Sequence, residues 1–89
     1  MAITNGFACG YADSVTLDTA FPQVSAYILV GTGGDIVFEN SVGDAQFISN
    51  AGEGYHPIAA LKVLTSGTVN GTPRTTTASG MTYLCTNKA

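Results

Sequence analysis

Between Val24 and Asn50 the chain reads as three extended runs separated by turn residues, and this pattern limits the possible folds more than any other feature. Val24 to Val30 is rich in β-branched and aromatic residues, and Gly31-Thr32-Gly33-Gly34-Asp35 breaks it. Ile36 to Asn40 resumes, Ser41 to Asp44 turns, and Ala45 to Ser49 follows. Short apolar runs between Gly, Asn and Asp clusters predict a β-meander. Gly31, Gly33 and Gly34 are read as turn-forming, with positive φ at one or more positions, which glycine adopts without steric cost. Asp35 is read as fixing that turn through a nearby backbone N–H. In the second run Ile36 and Phe38 share one face, and Val37 and Glu39 the other.

The flanking sequence extends this grammar. Residues 1–12 hold no period and read as an N-terminal arm; residues 13–89 read as a single β domain. Asp13 to Thr19 alternates, with Val15 and Leu17 on one side, and Phe21-Pro22 ends that strand or marks an edge. Val24 to Val30 is apolar on both faces apart from Ser25, so it is expected to be covered on both sides. Phe47 is the expected core residue of its run. Ile58 to Thr65 fits a weak helical stripe or a strand; Pro57 before it and Ser66-Gly67 behind it favour the strand. Ser66 to Ser79 reads as a long loop or loose hairpin, and Gly80 to Thr86 as the last strand. The whole predicts an all-β antiparallel sandwich or barrel of about six to seven strands.

At 89 residues the chain forms one domain with a thin core. Charged residues make up 10% of it, the net charge is −3, and twelve Thr and six Ser supply much of the polar surface. Low charge with 45% apolar residues argues against disorder. Lys62, Arg74 and Lys88 are too few and too scattered to track a phosphate backbone, so no nucleic-acid partner is expected. No apolar run is long enough to span a membrane, and the first residues lack a signal-peptide pattern, so synthesis and folding in a cytosol are expected.

The sequence offers little catalytic grammar. His56, between Tyr55 and Pro57, reads as a structural or surface histidine rather than a metal ligand. Asp35 with Glu39, and Asp13 with Asp18, are spaced as carboxylate pairs, but turn and surface roles explain them better. Gly31 to Gly34 lacks the Lys-Ser/Thr and helix that a phosphate loop needs. Asn70-Gly71-Thr72 matches a glycosylation acceptor, without the secretory leader that would make the match meaningful. No catalytic residue, cofactor or metal is assigned; only a cleft joining Asp35, Glu39 and His56 would revive an enzyme reading. Cys9 and Cys85 lie near opposite ends of the chain. They admit three readings: two free thiols, an internal bridge, or a bridge between subunits. A cytosolic product favours thiols, whereas an internal bridge would close a loop of about 77 residues and add roughly 4 kcal/mol.

The segment from Pro22 to Thr68 resembles small structural proteins of tailed phages and prophages, similar to the head spike-base proteins of gene transfer agents. The resemblance rests on an ordered series. Val30-Gly31-Thr32-Gly33-Gly34-Asp35-Ile36 comes first, then a hairpin closing on Phe47, then Pro57-Ile58, Val63-Leu64 and Thr65-Ser66-Gly67-Thr68. Two departures stand out. The family favours basic residues after Pro-Ile, where this chain has Ala59, Ala60 and Leu61 and keeps only Lys62. The family also tends to end soon after the Thr/Gly turn, where this chain continues. Shared contacts through basic side chains are therefore not carried over.

The resemblance implies a non-enzymatic virion protein on the capsid surface, either a decoration (cement) subunit or a vertex spike base. Its implied partners are the major capsid protein, neighbouring virion proteins and its own copies, as a trimer or pentamer. Phe7, Tyr11, Tyr27, Tyr55 and Tyr83 are the candidate interface residues, since aromatics concentrate at interface centres; each could equally fill the domain's own core. The rival reading is a small β binding module that recognises a carbohydrate or host-surface ligand through Asn50–His56 and the Ser66–Ser79 loop. Exposed aromatics beside polar loop residues would favour it.

Overall fold

The computed structural model describes residues 11–22 and 24–85, and they form an all-β fold. Nine strands occur among them: β1 (Tyr11–Ser14), β2 (Tyr27–Val30), β3 (Gly34–Asn40), β4 (Ala45–Ala51), β5 (Gly54–His56), β6 (Ala60–Leu64), β7 (Ser66–Val69), β8 (Thr72–Thr75) and β9 (Thr82–Cys85). All pair antiparallel, in sheets of order β1-β9-β2-β5, β4-β3-β6 and β7-β8. The arrangement is a sandwich, not a barrel. The core lies between the first two sheets, with Ile28, Val30 and Tyr83 from one meeting Ile36, Ala51, Ala60 and Val63 from the other. Its largest fully buried side chains are only Ile and Val, which is the thin core expected of so short a chain.

The β7–β8 hairpin forms a third layer on the far face of the three-stranded sheet. Val37, opposite Phe47 and Leu64 in the pairing, points away from the main core yet is fully buried. A Cβ on Gly67 would sit 3.5 Å from both the Val37 and Leu64 side chains, so β7 passes directly over them. Thr76 fastens this layer: its hydroxyl accepts the Val37 N–H at 2.9 Å and donates to the Leu64 carbonyl at 2.6 Å. One side chain thus satisfies two groups between β3 and β6.

Several expectations are corrected. The predicted meander breaks after its first run, because β2 and β3 lie in different sheets and only β3 and β4 form a hairpin. Gly31, Gly33 and Gly34 are therefore not a hairpin turn, and none has positive φ. They make room where the chain crosses between layers. A Cβ would fall 2.8 Å from the Gly80 carbonyl oxygen at Gly31, 2.9 Å from that of Ala51 at Gly33, and 2.7 Å from the Ala78 nitrogen at Gly34. Asp35 does not fix a local turn either. Its carboxylate accepts the N–H of Asn50 across the sheet at 2.9 Å, and its carbonyl accepts from Thr77 and Ala78.

The strand foreseen from Asp13 to Thr19 is β1, displaced toward the N-terminus, so Tyr11 and Ala12 are sheet residues rather than arm. Beyond Ser14 the chain leaves the sheet and runs along the open edge of β6. There Asp18, Phe21 and Ser25 donate their N–H groups to Val63, Leu61 and Ala60. Leu17 is accordingly exposed while Val15 packs on the core. Val24 is also exposed, so the run from Val24 is not covered on both faces; the strand begins at Tyr27. Phe47 faces the hairpin instead of the core, with the Arg74 guanidinium 4.5 Å above its ring. Of the two readings of Ser66–Ser79 the hairpin holds for Ser66 to Thr75, turning on Asn70-Gly71, both with positive φ.

Candidate interaction surface

Strand alternation decides which aromatic side chains are available for contact. On β2, Ile28 and Val30 point into the core, so Tyr27 and Leu29 face outward. Leu29 is opposite Tyr55 on β5, which places Tyr55 on the same outer face. The Tyr27 and Tyr55 rings meet edge to face with centroids 6.4 Å apart, and Tyr55 keeps 65% of its surface exposed. Leu84 of β9 is opposite Tyr27 and lies half-buried on that face as well. The outer surface of the four-stranded sheet is thus a patch of Tyr27, Leu29, Leu84 and Tyr55.

Tyr83 does not belong to it. It is 5% exposed and stacks on Phe21 at 4.1 Å, because alternation sends it inward opposite Ile28. Its candidacy as an interface residue is withdrawn. Tyr11 lies on β1, opposite Cys85 in the pairing, while Phe7 and Cys9 lie outside the described residues.

The polar loop beside Tyr55 is held by two contacts. Asn50 takes a left-handed conformation (φ 54°) with its N–H on Asp35, and the His56 Nε2–H donates to the Gly52 carbonyl at 2.6 Å. Thr77 also bonds Asp35, so the two loops of the rival reading converge on that residue, while the Asn70-Gly71 tip belongs to the separate hairpin. Asp35, Glu39 and His56 do not bond one another. The Asp35 carboxylate is taken by Asn50, the His56 ring by Gly52, and Glu39 is opposite Lys62 in the strand register. Among the described residues no cluster of His, Cys, Asp and Glu could hold a metal ion.

Three polar residues matter more than the sequence indicated. Ser25 is buried, its hydroxyl donating to the Ile58 carbonyl at 2.7 Å and accepting the Ala60 N–H at 3.1 Å. A lone serine in an apolar run was the available signal. Asp18 (φ 63°) accepts from the Thr65 hydroxyl at 2.6 Å and the Thr65 N–H at 2.9 Å. Those two bonds hold its carboxyl below the usual range against an opposing desolvation, with the smallest pull coming from Lys62. Asn40 braces the β3–β4 turn, its side-chain oxygen accepting from Val42 and Asp44, so the apolar Val42 stands 78% exposed at a fixed tip. The sequence offered Asp18 only as a carboxylate spaced with Asp13 and gave no sign of Thr65 as its partner.

No family model matches the chain, and no curated protein matches it significantly in sequence. Among solved structures it is similar to a chain in the capsid of a native GTA (gene transfer agent) particle computed with C5 symmetry. The TM-score is 0.59 at 18% sequence identity, over 86% of this chain and 83% of that one. This likeness establishes a shared fold along most of both chains.

Proposed function

We propose that the chain is a non-enzymatic structural protein of a tailed-phage-like virion, seated on the capsid as a decoration subunit or vertex spike base. One observation carries the reading: a likeness to a chain of a GTA capsid that spans most of both chains and leaves little of either unmatched. The ordered series from Val30 to Thr68 points the same way. In this role the protein is made in the host cytoplasm and then joins the capsid surface. It acts by burying surface against the major capsid protein and its own copies, on the order of 1,000 Å² or more per specific contact. The outer patch of Tyr27, Leu29 and Tyr55 is suited to such a contact, being aromatic and uncharged. A threefold seat fits a decoration subunit and a fivefold seat a spike base.

The test is reconstitution. Particles made without this gene are mixed with purified protein and re-isolated on a gradient. Saturable binding that Tyr55→Ala and Leu29→Ser weaken supports the reading; protein that stays at the top of the gradient overturns it. The exposure of Tyr55 beside Glu53 and His56 favours the second reading, a glycan- or receptor-binding module. That reading requires binding to host envelope fractions that is lost in Tyr55→Ala, with no binding to capsids.

A further inference from the structure

The strand edges of this protein are unequally protected. An open edge presents unpaired N–H and C=O groups that another strand can pair with, and proteins usually shorten, charge or cover such edges. The outer edge of β6 is covered by the N–H groups of Asp18, Phe21 and Ser25. Strand β1 has four residues and carries Asp13; β5 has three. Strands β7 and β8 have four each, and β8 carries Pro73 and Arg74. Strand β4 is the exception: seven residues, Ala-Gln-Phe-Ile-Ser-Asn-Ala, with no charge and no proline.

The register shows which groups of β4 are open. The Asn40 N–H bonds the Asp44 carbonyl, and alternation from that pair turns the backbone of Gln46 and Ile48 toward β3. The backbone of Ala45, Phe47 and Ser49 therefore faces away from the sheet. Strand β4 pairs only with β3, and among the described residues no hydrogen bond reaches these outward groups.

We infer that the β4 edge is an interface, and that its occupant is the β4 strand of a second copy, paired antiparallel about a twofold axis. Length selects this partner, since every other open edge among the described residues is too short to match β4. Hydrogen bonding selects it too. With Phe47 opposite its symmetry mate, Ala45 meets Ser49 of the other copy, and every outward N–H finds an outward carbonyl. Charge permits it: two chains of net charge −3 repel over most of their surfaces, but β4 itself carries no charged residue, and the charge that lies over it is the Arg74 guanidinium on the face of the Phe47 ring. The result is one continuous six-stranded sheet. The pair takes the place of the trimer or pentamer as the unit in solution. It is compatible with a threefold seat on a shell, because twofold axes relate neighbouring threefold sites of an icosahedral shell.

The test uses purified chain, so it does not depend on the capsid reading. Light scattering from about 1 μM to about 1 mM, a range reaching the weakest measurable association, should show the mass rise from one chain to two. Hydrogen exchange at Ala45, Phe47 and Ser49 should slow as the pair forms, while Gln46 and Ile48 stay unchanged. Ser49→Pro, which removes one outward donor at a position where an edge strand tolerates proline, and the milder Ser49→Lys should each raise the dissociation constant roughly tenfold or more. A monomer across the whole range overturns the inference. So does a dimer whose exchange at these three amides does not respond to dilution.

Discussion

Ser25 is the one buried polar side chain among the described residues, and it ties the segment before β2 to the chain entering β6. Replacing it with Ala leaves the Ile58 carbonyl and the Ala60 N–H buried without this partner. Ser25→Ala should therefore cost roughly 1–3 kcal/mol in a urea melt, with the slope unchanged. A loss below the noise of the melt would mean that water or a backbone shift replaces the hydroxyl. Asp18 gives a pH-dependent counterpart. Its folded pKa lies below its unfolded value because Thr65 bonds the carboxylate. The contact stabilises the fold above the ordinary carboxylate range, and that stability is lost as pH falls through the lowered folded value. Asp18→Asn should flatten the acid side of a stability-against-pH profile and leave its alkaline side unchanged. Gly34→Ala tests the crossing between layers, where a methyl group would press on the Ala78 nitrogen and the Thr77 hydroxyl. It should destabilise the fold more than Gly52→Ala, where nothing lies within 4 Å of the added carbon.

At the scale of elements, the β7–β8 hairpin acts as a lid on a second, smaller apolar cluster of Val37, Leu64 and Phe47. Thr76→Val removes the hydroxyl that joins β3, β6 and this layer. Amides of β7 and β8 should then exchange faster, while those of β2 and β9 keep their protection. Equal loss in all strands would mean that the hairpin and the sandwich unfold as one unit. Much of this architecture was legible in the sequence. Short apolar runs between turn residues located β3 and β4, and Pro57 and Ser66-Gly67 tipped the ambiguous run between them to the strand that is β6. The hairpin was half legible: the stretch read as a long loop or loose hairpin, while Asn70-Gly71, whose positive φ makes the two-residue turn, was read only as part of a glycosylation match. What local pattern cannot carry is pairing between distant segments. Nothing near Gly31 reveals that Gly80 lies against it, so a crossing between layers read as a turn. Nor does anything near Tyr83 reveal the ring of Phe21 stacked on it, so its choice between core and contact stayed open in the sequence. Of the candidate surface, Tyr27 and Tyr55 were singled out as residue types, but that they share an outer face with Leu29 and Leu84 needed the sheet order.

At the scale of the molecule, the fold is two thin sheets and a hairpin around small aliphatic side chains, with little bulk for stability and much strand edge and sheet face for contact. Such a chain gains most from neighbours, which is the physical content of the capsid reading. The measurement that tests that reading most directly is the number of copies per particle. Particles from the source strain are purified, and this chain is quantified against the major capsid protein by mass spectrometry with isotope-labelled standards. The account predicts a ratio that is constant between preparations, survives further purification and corresponds to symmetry-related sites on the shell. A trace amount that varies between preparations and falls with each purification step would contradict it.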